Sequence, residues 1–456
     1  MKKRTELAAS LALSVSLLAG CSPSDSGTSD AVVAAREDGA ADATAINAAT
    51  ASASAENTIT HDSSDDYVYD EASTTEITLG STIEADSGDV DVNGDTATIT
   101  NAGTYRITGT LIDGQLVIDA GDEAVVQLIL DDVSISSSTG AAIAVMSAEK
   151  AIVILADGSS NTLTDGTVYI LEEGEDEPNA TLFSKSDLTI TGEGSLAVSG
   201  NYNDGIASKD GLIIDGGDIT VVAVDDGIRG KDYVVVNGGN LDITANGDGI
   251  KADNDEDQAR GYVSISAGTF DIAAGGDAIQ AATDVLITGG DFTITAGSGN
   301  AASLAADESA KGIKGAVGVI IDNGAFAIDT ADDAIHSNIS VVINNGTFEI
   351  ATGDDAIHAD ETVEVNDRIA SVPGLYVRSD GCVVFHVQVD TDVLRGSGRS
   401  IPNPLSVALG VRPGGARDFS AGDLGRVRVS WPATAVTGAA VGSIRAIAEH
   451  VGADLG

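Results

Sequence analysis

Asp226-Gly227-Ile228-Arg229-Gly230-Lys231-Asp232 returns 22 residues later as Asp248-Gly249-Ile250-Lys251-Ala252-Asp253-Asn254. The word at its centre, Gly or Ala followed by Ile, recurs at Ile206, Ile228, Ile250, Ile279, Ile313, Ile335 and Ile357, with separations of 22, 22, 29, 34, 22 and 22. The two long gaps are one period plus an insertion, an acidic one around 253–259 and a Gly/Ser/Ala one around 297–310. Six and eight residues after each Ile comes an apolar pair, then a turn, then a second pair at +13 and +15. In one copy these are Val234, Val236, Gly238-Gly239, Leu241 and Ile243; in another, Val341, Ile343, Asn345-Gly346, Phe348 and Ile350.

A fixed period of this length is the signature of a repeat architecture. Alternation over three to five residues means short half-buried strands, and Gly-Gly or Asn-Gly supplies the positive φ of a tight turn. One period holds three short strands and three turns, too little for a helix pair or a propeller blade. A leucine-rich repeat has a similar period but needs a helical segment, and no 3.6-residue pattern is present. A β-sandwich would need the spacing to be coincidence. The reading is all-β, a single-stranded parallel β-helix in which identical positions stack in columns about 4.8 Å apart. Residues 76–180 are strand-like but less regular, as first coils and a cap would be.

Composition agrees. The chain has 456 residues, of which 43% are hydrophobic but only 4% aromatic, so stacked Ile and Val must build the core. Two Cys provide no disulfide framework. Acidic residues number 71 against 23 basic, a formal net charge of -48. This excludes nucleic acid and anionic membrane surfaces as partners, since phosphates need Lys and Arg to replace their counterions. Residues 1–366 hold 14 of the basic and 63 of the acidic residues, a formal -49; the last 90 residues are near neutral, with nine Arg, no Lys, five of the seven Pro and the only Trp, Trp431.

At the N-terminus, Lys2, Lys3 and Arg4 precede an apolar run from Leu7 to Ala19, too short to span a bilayer but suited to a secretory signal. It ends Leu18-Ala19-Gly20-Cys21, which resembles the lipobox of bacterial lipoproteins; that resemblance implies cleavage and lipidation at Cys21. The expected divisions are a signal peptide at 1–21, a flexible acidic linker at 22–75, the β-helix at 76–366 and an unassigned segment at 367–456. The protein is expected to be exported, lipid-anchored at the bacterial cell surface or outer membrane, and monomeric, with the lipid as its sole membrane contact.

Stacking turns repeats into ladders. Two positions before the repeated Ile stand Asp204, Asp226, Asp248, Asp277, Lys311, Asp333 and Asp355, with further acids just before at Asp225, Asp332 and Asp354. Carboxylates about 5 Å apart repel by about 1 kcal/mol per pair in water and by several times more at lower effective dielectric. Calcium relieves such repulsion through an all-oxygen cage, and Asp253 and Asp255 in the first insertion offer further oxygen ligands. The competing reading is that each Asp makes a corner by accepting backbone N–H bonds. One residue after the Ile, the column reads Ala207, Arg229, Lys251, Gln280, Lys314, His336 and His358. These groups could bind sugar carboxylates and hydroxyls, or merely neutralise the Asp ladder, or both.

The strings Asn201-Tyr202-Asn203-Asp204-Gly205-Ile206, Asp226-Gly227-Ile228-Arg229-Gly230-Lys231-Asp232 and Asp248-Gly249-Ile250-Lys251-Ala252-Asp253-Asn254-Asp255 resemble a bacterial family of secreted carbohydrate-binding β-helix proteins. Asn161-Thr162-Leu163-Thr164-Asp165-Gly166 and Leu182-Phe183-Ser184-Lys185 resemble its upstream segment, so the likeness runs from about residue 100 to 366. The resemblance implies a right-handed parallel β-helix similar to pectate lyases, binding calcium and plant-wall or algal polysaccharide, with acidic galacturonans favoured; metal roles carry over to Asp226 and Asp248 with their neighbours. The pattern departs at Asn366-Asp367-Arg368, where the expected turn is missing. The helix either ends there with an unrelated cap or continues into a fused or frameshifted tail, in which Cys382 and His386 read as core filling.

Two alternatives to a binder stand. A polysaccharide lyase would use calcium to acidify the proton beside a uronate carboxylate and Arg or Lys as base. A calcium-rigidified adhesin or stalk would use the metal for stiffness alone. Regular repetition of the cationic groups, rather than one singular constellation, favours a surface for an extended polymer.

Overall fold

The computed structural model describes residue 57 and residues 60–365 apart from 172–173 and 306–307, together with the short strands Ala12–Leu13, Val377–Arg378, Cys382–Phe385, Val389–Asp390, Ala408–Gly410 and Arg428–Ser430. It is a parallel β-helix. Each regular coil has a short strand, a bend, a second strand, a glycine corner and a third strand, as in Ile228–Gly230 followed by Tyr233–Ala245, whose two halves are the second and third strands. Among the described residues there is no α-helix; Ser64–Tyr67 and Glu71–Ser73 form 3-10 turns.

The register is the one the repeat dictates. Ile206, Ile228, Ile250, Ile279, Ile313, Ile335 and Ile357 pair in sequence along one sheet. All seven are 0–1% exposed. Val234, Val263, Val285, Val319, Val341 and Val363 form a second inward column on the second strands. The third strands differ from expectation in one respect, because their first inward column changes from Leu241 to Phe270, Phe292, Phe326 and Phe348. These rings stack with centroids 4.5, 4.7 and 4.7 Å apart and planes within 5° of parallel. The strand spacing enforces this offset stack, so the few aromatics are concentrated in one column of the core. At the corner before it, Gly239 has φ +104°, and a Cβ there would stand 2.9 Å from the Gly216 carbonyl oxygen. Glycine is therefore required by both conformation and space.

The sheets begin with two antiparallel pairs, Thr75–Leu79 with Glu84–Ala85 and Val90–Asn93 with Thr96–Ile99, from which parallel pairing continues. At the other end, Val377–Arg378 and Cys382–Phe385 pair in parallel with the strands of the coil at 357–365. Cys21 and the rest of the N-terminal and C-terminal expectations, His386 included, lie outside the described residues.

The last part of the segment expected as linker, 22–75, makes specific contacts with the solenoid. Residues 60–73 run as a strap along the outer face of the second strands. Gln127 Nε2 donates to the carbonyls of Asp66 and Val68 at 3.2 Å, Lys150 Nζ meets Asp66 Oδ2 at 2.8 Å, and the His61 ring lies 2.7 Å from Tyr233 Oη and 2.8 Å from Thr189 Oγ1. Still further along, Asn57 Nδ2 donates to Asp284 Oδ2 at 2.6 Å. The cause is an outward stripe that is also apolar: Ile129, Ile152 and Ile154 pack with Tyr69, while Ile213, Tyr233, Val235 and Tyr262 form a neighbouring cluster. An uncovered stripe of that kind would leave large side chains in water.

Candidate functional site

The short-strand sheet presents the second predicted column outward. Ala207, Arg229, Lys251, Gln280, Lys314, His336 and His358 are neighbours in successive coils. From Arg229 onward each is part-buried. Below them the outward positions are apolar, and Ala144, Phe183 and Ala207 are covered by Tyr169 and Leu171 of the loop that precedes the short strand Ala180–Ser184.

The Asp column lies in the corner immediately before this sheet. Its Asp members are buried, Asp248 only in part, and most are bonded to the next through the backbone. Asp204 Oδ1 accepts from the Asp226 N–H at 3.2 Å, Asp226 Oδ1 from Asp248 at 2.8 Å, Asp248 Oδ1 from Asp277 at 2.7 Å, and Asp277 Oδ1 from Lys311 at 2.8 Å. Asp333 Oδ1 accepts from the Asp355 N–H at 3.0 Å. One oxygen of each thus closes the corner of the next coil, and the other turns toward the cationic column. Lys251 Nζ lies 3.0 Å from Asp226 Oδ2 and 2.8 Å from Asp248 Oδ2. Lys314 Nζ is 2.7 Å from Asp277 Oδ2, and Arg229 is 3.4 Å from Asp204 Oδ2. Lys311, which interrupts the Asp column, pairs with Asp332. The repulsion within the ladder is therefore met in large part by the protein's own cations.

Ionisation follows these partners. Burial, then Asp226, pushes the Asp204 carboxyl up to about 7, against the pull of Arg229. Burial raises Asp248 although Lys251 opposes it. Burial also acts to raise Asp333, but the His336 hydrogen bond and the Asp355 N–H outweigh it and hold this group below the ordinary carboxylate range. The hydrogen bond to Asp355 takes His358 up to about 9, burial opposing. Asp248 and Asp226 overcome burial to hold Lys251 above the ordinary lysine value.

Among the described residues, three sets of side chains bring ligand atoms within 4.8 Å of one another: Asp204 with Asp225 and Asp226; Asp332 with Asp333 and Asp354; and Asp333 with His336 and His358. The oxygen-only sets suit a hard cation. Beside the first lies Asn179, whose Nδ2 is 3.4 Å from Asp204 Oδ2 and whose buried Oδ1 has no hydrogen-bond partner. Asp248 and Asp277 stand outside all three sets, engaged by Lys251, Lys314 and Ser309. From the first insertion, Asp253 Oδ2 lies 3.1 Å from Arg229 Nε while its buried Oδ1 has no hydrogen-bond partner, and Asp255 is exposed. The turn of the insertion is organised by Asn254 Oδ1, which accepts the N–H groups of Glu256 and Asp257 at 3.1 Å.

Sequence reading missed two features. Asn179 lies in a loop outside the repeat, where no column points to it. Tyr202 stacks on Tyr169 with centroids 4.2 Å apart and is 36% exposed, close to Asp204; its signal was its place in the string Asn201-Tyr202-Asn203-Asp204.

A family model described as carbohydrate-binding domain-containing protein matches residues 93–356. A protein of the same description from Acetivibrio thermocellus is 45% identical over 126 residues, which are 27% of this chain and 44% of that protein. The chain thus spans less than half the length of this curated relative. A solved structure described as the polysaccharide lyase-like protein from C. thermocellum, a gadolinium derivative, is 32% identical over 68% of this chain and 96% of its own, with a TM-score of 0.44. With more than half of its 456 residues inside the match, the chain belongs to the carbohydrate-binding domain-containing protein family.

Proposed function

We propose that this protein binds an acidic polysaccharide, of polygalacturonate type, along the short-strand face with the help of calcium, as an exported β-helix held at the cell surface or outer membrane by lipid on Cys21. The observation that carries the reading is the unbroken outward row Arg229, Lys251, Gln280, Lys314, His336 and His358, one group per coil in a common register. The buried carboxylates hold one side of each charged head. The side chains of Arg229, Lys251 and Lys314 nevertheless remain 24–26% exposed, enough to present N–H donors to an extended anionic chain. Asp204, Asp225 and Asp226, with the orphaned oxygen of Asn179, supply the oxygen donors that calcium takes, and Asp332, Asp333 and Asp354 offer a second such set. Bound calcium would neutralise acidic oxygens of protein and glycan together. The exposed face of Tyr202 at the lower end of the row suits the apolar face of a sugar ring.

The binder reading is preferred to a lyase because a Lys base must be neutral to take a proton, and Lys251 is held the other way by two carboxylates. The test is co-sedimentation of the full chain with polygalacturonate, with calcium and with a chelator, beside ultraviolet detection of unsaturated uronate ends. Binding that needs calcium and weakens at least about tenfold in Lys251→Gln/Lys314→Gln is expected, a loss of about 1.4 kcal/mol. Unsaturated products would establish the lyase reading instead. Calcium-dependent stabilisation without glycan binding would leave the stalk.

A further inference from the structure

We propose that Asp333, His336 and His358 form a binding site for a borderline divalent metal of the zinc class, which adds two nitrogen donors to a carboxylate it shares with the oxygen-only set Asp332, Asp333 and Asp354. The two histidines occupy the same column position in adjacent coils, fixed by the pairing of Ile335 with Ile357 and of His336 with His358. Their rings lie face to face with centroids 4.9 Å apart and a tilt of 27°. Both Nδ1 atoms turn inward to the Asp corner. His336 Nδ1 is 2.8 Å from Asp333 Oδ2; His358 Nδ1 is 3.9 Å from the same oxygen and 3.4 Å from Asp355 Oδ2. A tetrahedral ion with bonds of about 2.1 Å sets its ligand atoms about 3.4 Å apart, which is the middle of this range. Asp355 is placed to be a fourth donor, or to hold a bound water.

The outer nitrogens make the case specific. His336 Nε2 lies 3.2 Å from Asn338 Oδ1 and His358 Nε2 lies 3.2 Å from Asp360 Oδ1. An imidazole that donates its outer N–H to a carboxylate or amide oxygen has its inner nitrogen lone pair free for a metal, the arrangement by which proteins fix the tautomer and orientation of metal-binding histidines. A metal ion at that point takes the place of the proton that otherwise joins each Nδ1 to a carboxylate oxygen. The part-buried side chains, 14% and 19% exposed, can rotate on a backbone held by the sheet. Mixed nitrogen and oxygen donors select zinc, nickel or copper over calcium or magnesium. Other charged groups near the site are the carboxylates of Asp332 and Asp354 beside Asp333, Lys311, which is engaged by Asp332, and Lys314, one coil away in the same column.

The experiment uses chelator-treated full-length protein without added calcium, so that Asp333 is not taken by the oxygen-only set that shares it, with Co2+ as a visible probe and Zn2+ as its competitor. One equivalent of Co2+ with ligand-field bands of a four- or five-coordinate N/O site, displaced by Zn2+, is expected. His336→Ala and His358→Ala should each abolish the bands. Asp360→Asn leaves every ligand in place and should weaken Co2+ binding roughly 10- to 100-fold, which keeps the test valid if a histidine variant fails to fold. Co2+ bands that persist in folded variants lacking either histidine, or absence of bands in the unaltered protein, would overturn the proposal.

Discussion

Replacing Lys251 by Met keeps the length of the side-chain stem and removes its charge. Two carboxylates lose their shared cation, since Nζ lies 3.0 Å from Asp226 Oδ2 and 2.8 Å from Asp248 Oδ2. Asp226 is only 3% exposed, so water replaces little of what is lost. Breaking a buried pair by removing one partner costs about 3–5 kcal/mol. Protonation sets a ceiling, because an abandoned carboxylate can always take up a proton. From an unfolded value of about 3.9 to pH 7 this costs about 4 kcal/mol per carboxylate, at about 1.4 kcal/mol per pH unit. The expected loss near pH 7 is therefore about 3 kcal/mol. The sign with pH follows: burial raises Asp248 against the opposing pull of Lys251, and without that pull its folded value rises further, so its contribution is intact at low pH and is lost as pH rises. The difference between variant and parent should shrink to about 1 kcal/mol near pH 4. Denaturant titrations followed by circular dichroism at the two pH values measure it. A loss equal at both, or below about 1 kcal/mol near pH 7, would refute the claim that Lys251 neutralises the ladder.

Two further outcomes test the fold around the site. Burial pushes Asp284, 1% exposed, up to about 6, the Asn57 hydrogen bond opposing; its contribution is present below pH 4 and lost as pH rises through 6, so Asp284→Asn should stabilise by on the order of 3 kcal/mol above pH 7 and by nothing near pH 4, as read from melting curves across pH. Removing residues before 75 should expose the apolar stripe at Ile129, Ile152 and Ile213, giving increased binding of a hydrophobic dye and a lower melting temperature than a chain that begins before residue 57; equal behaviour would show that the strap does not stabilise the solenoid.

What the sequence made legible is what stacking makes periodic. Spacings of 22 fixed the coil, and pairing in the structure places Arg229 beside Lys251 and His336 beside His358, as the column reading required. Three things escaped it for physical reasons. The strap is not periodic, and its partners lie far away in sequence, Asn57 and Asp284 being 227 positions apart. Alternation marks the Phe positions only as apolar, and the face-to-face stacking of the four rings comes from the strand spacing of the folded coils. In the insertion at 253–259, the nearby Arg229 guanidinium takes Asp253 Oδ2, and Asn254 makes an Asx turn, pairings that depend on the fold and not on the acidic composition of the segment.

Reading the two columns separately also concealed their main property. Each Asp has two oxygens with different duties: Oδ1 takes the N–H of the next coil, and Oδ2 meets a cation from the adjacent column. Architecture claims the first duty permanently, whereas the second can be exchanged. A calcium ion at Asp204, Asp225 and Asp226 would compete with Arg229 for Asp204 Oδ2, and a uronate chain would compete with the Asp column for the same Lys and Arg heads. The two exchanges assist each other, because calcium that takes over a carboxylate frees the cation that a glycan carboxylate needs. Under the proposed function this predicts reciprocal coupling: glycan should tighten calcium binding by the same factor by which calcium tightens glycan binding. The coupling should be lost where no cation is there to free, so Arg229→Gln should leave calcium binding intact while glycan no longer changes it. Titration calorimetry of calcium with and without polygalacturonate tests this, and unchanged coupling in Arg229→Gln would show that calcium and glycan do not act through the shared Asp204 oxygen.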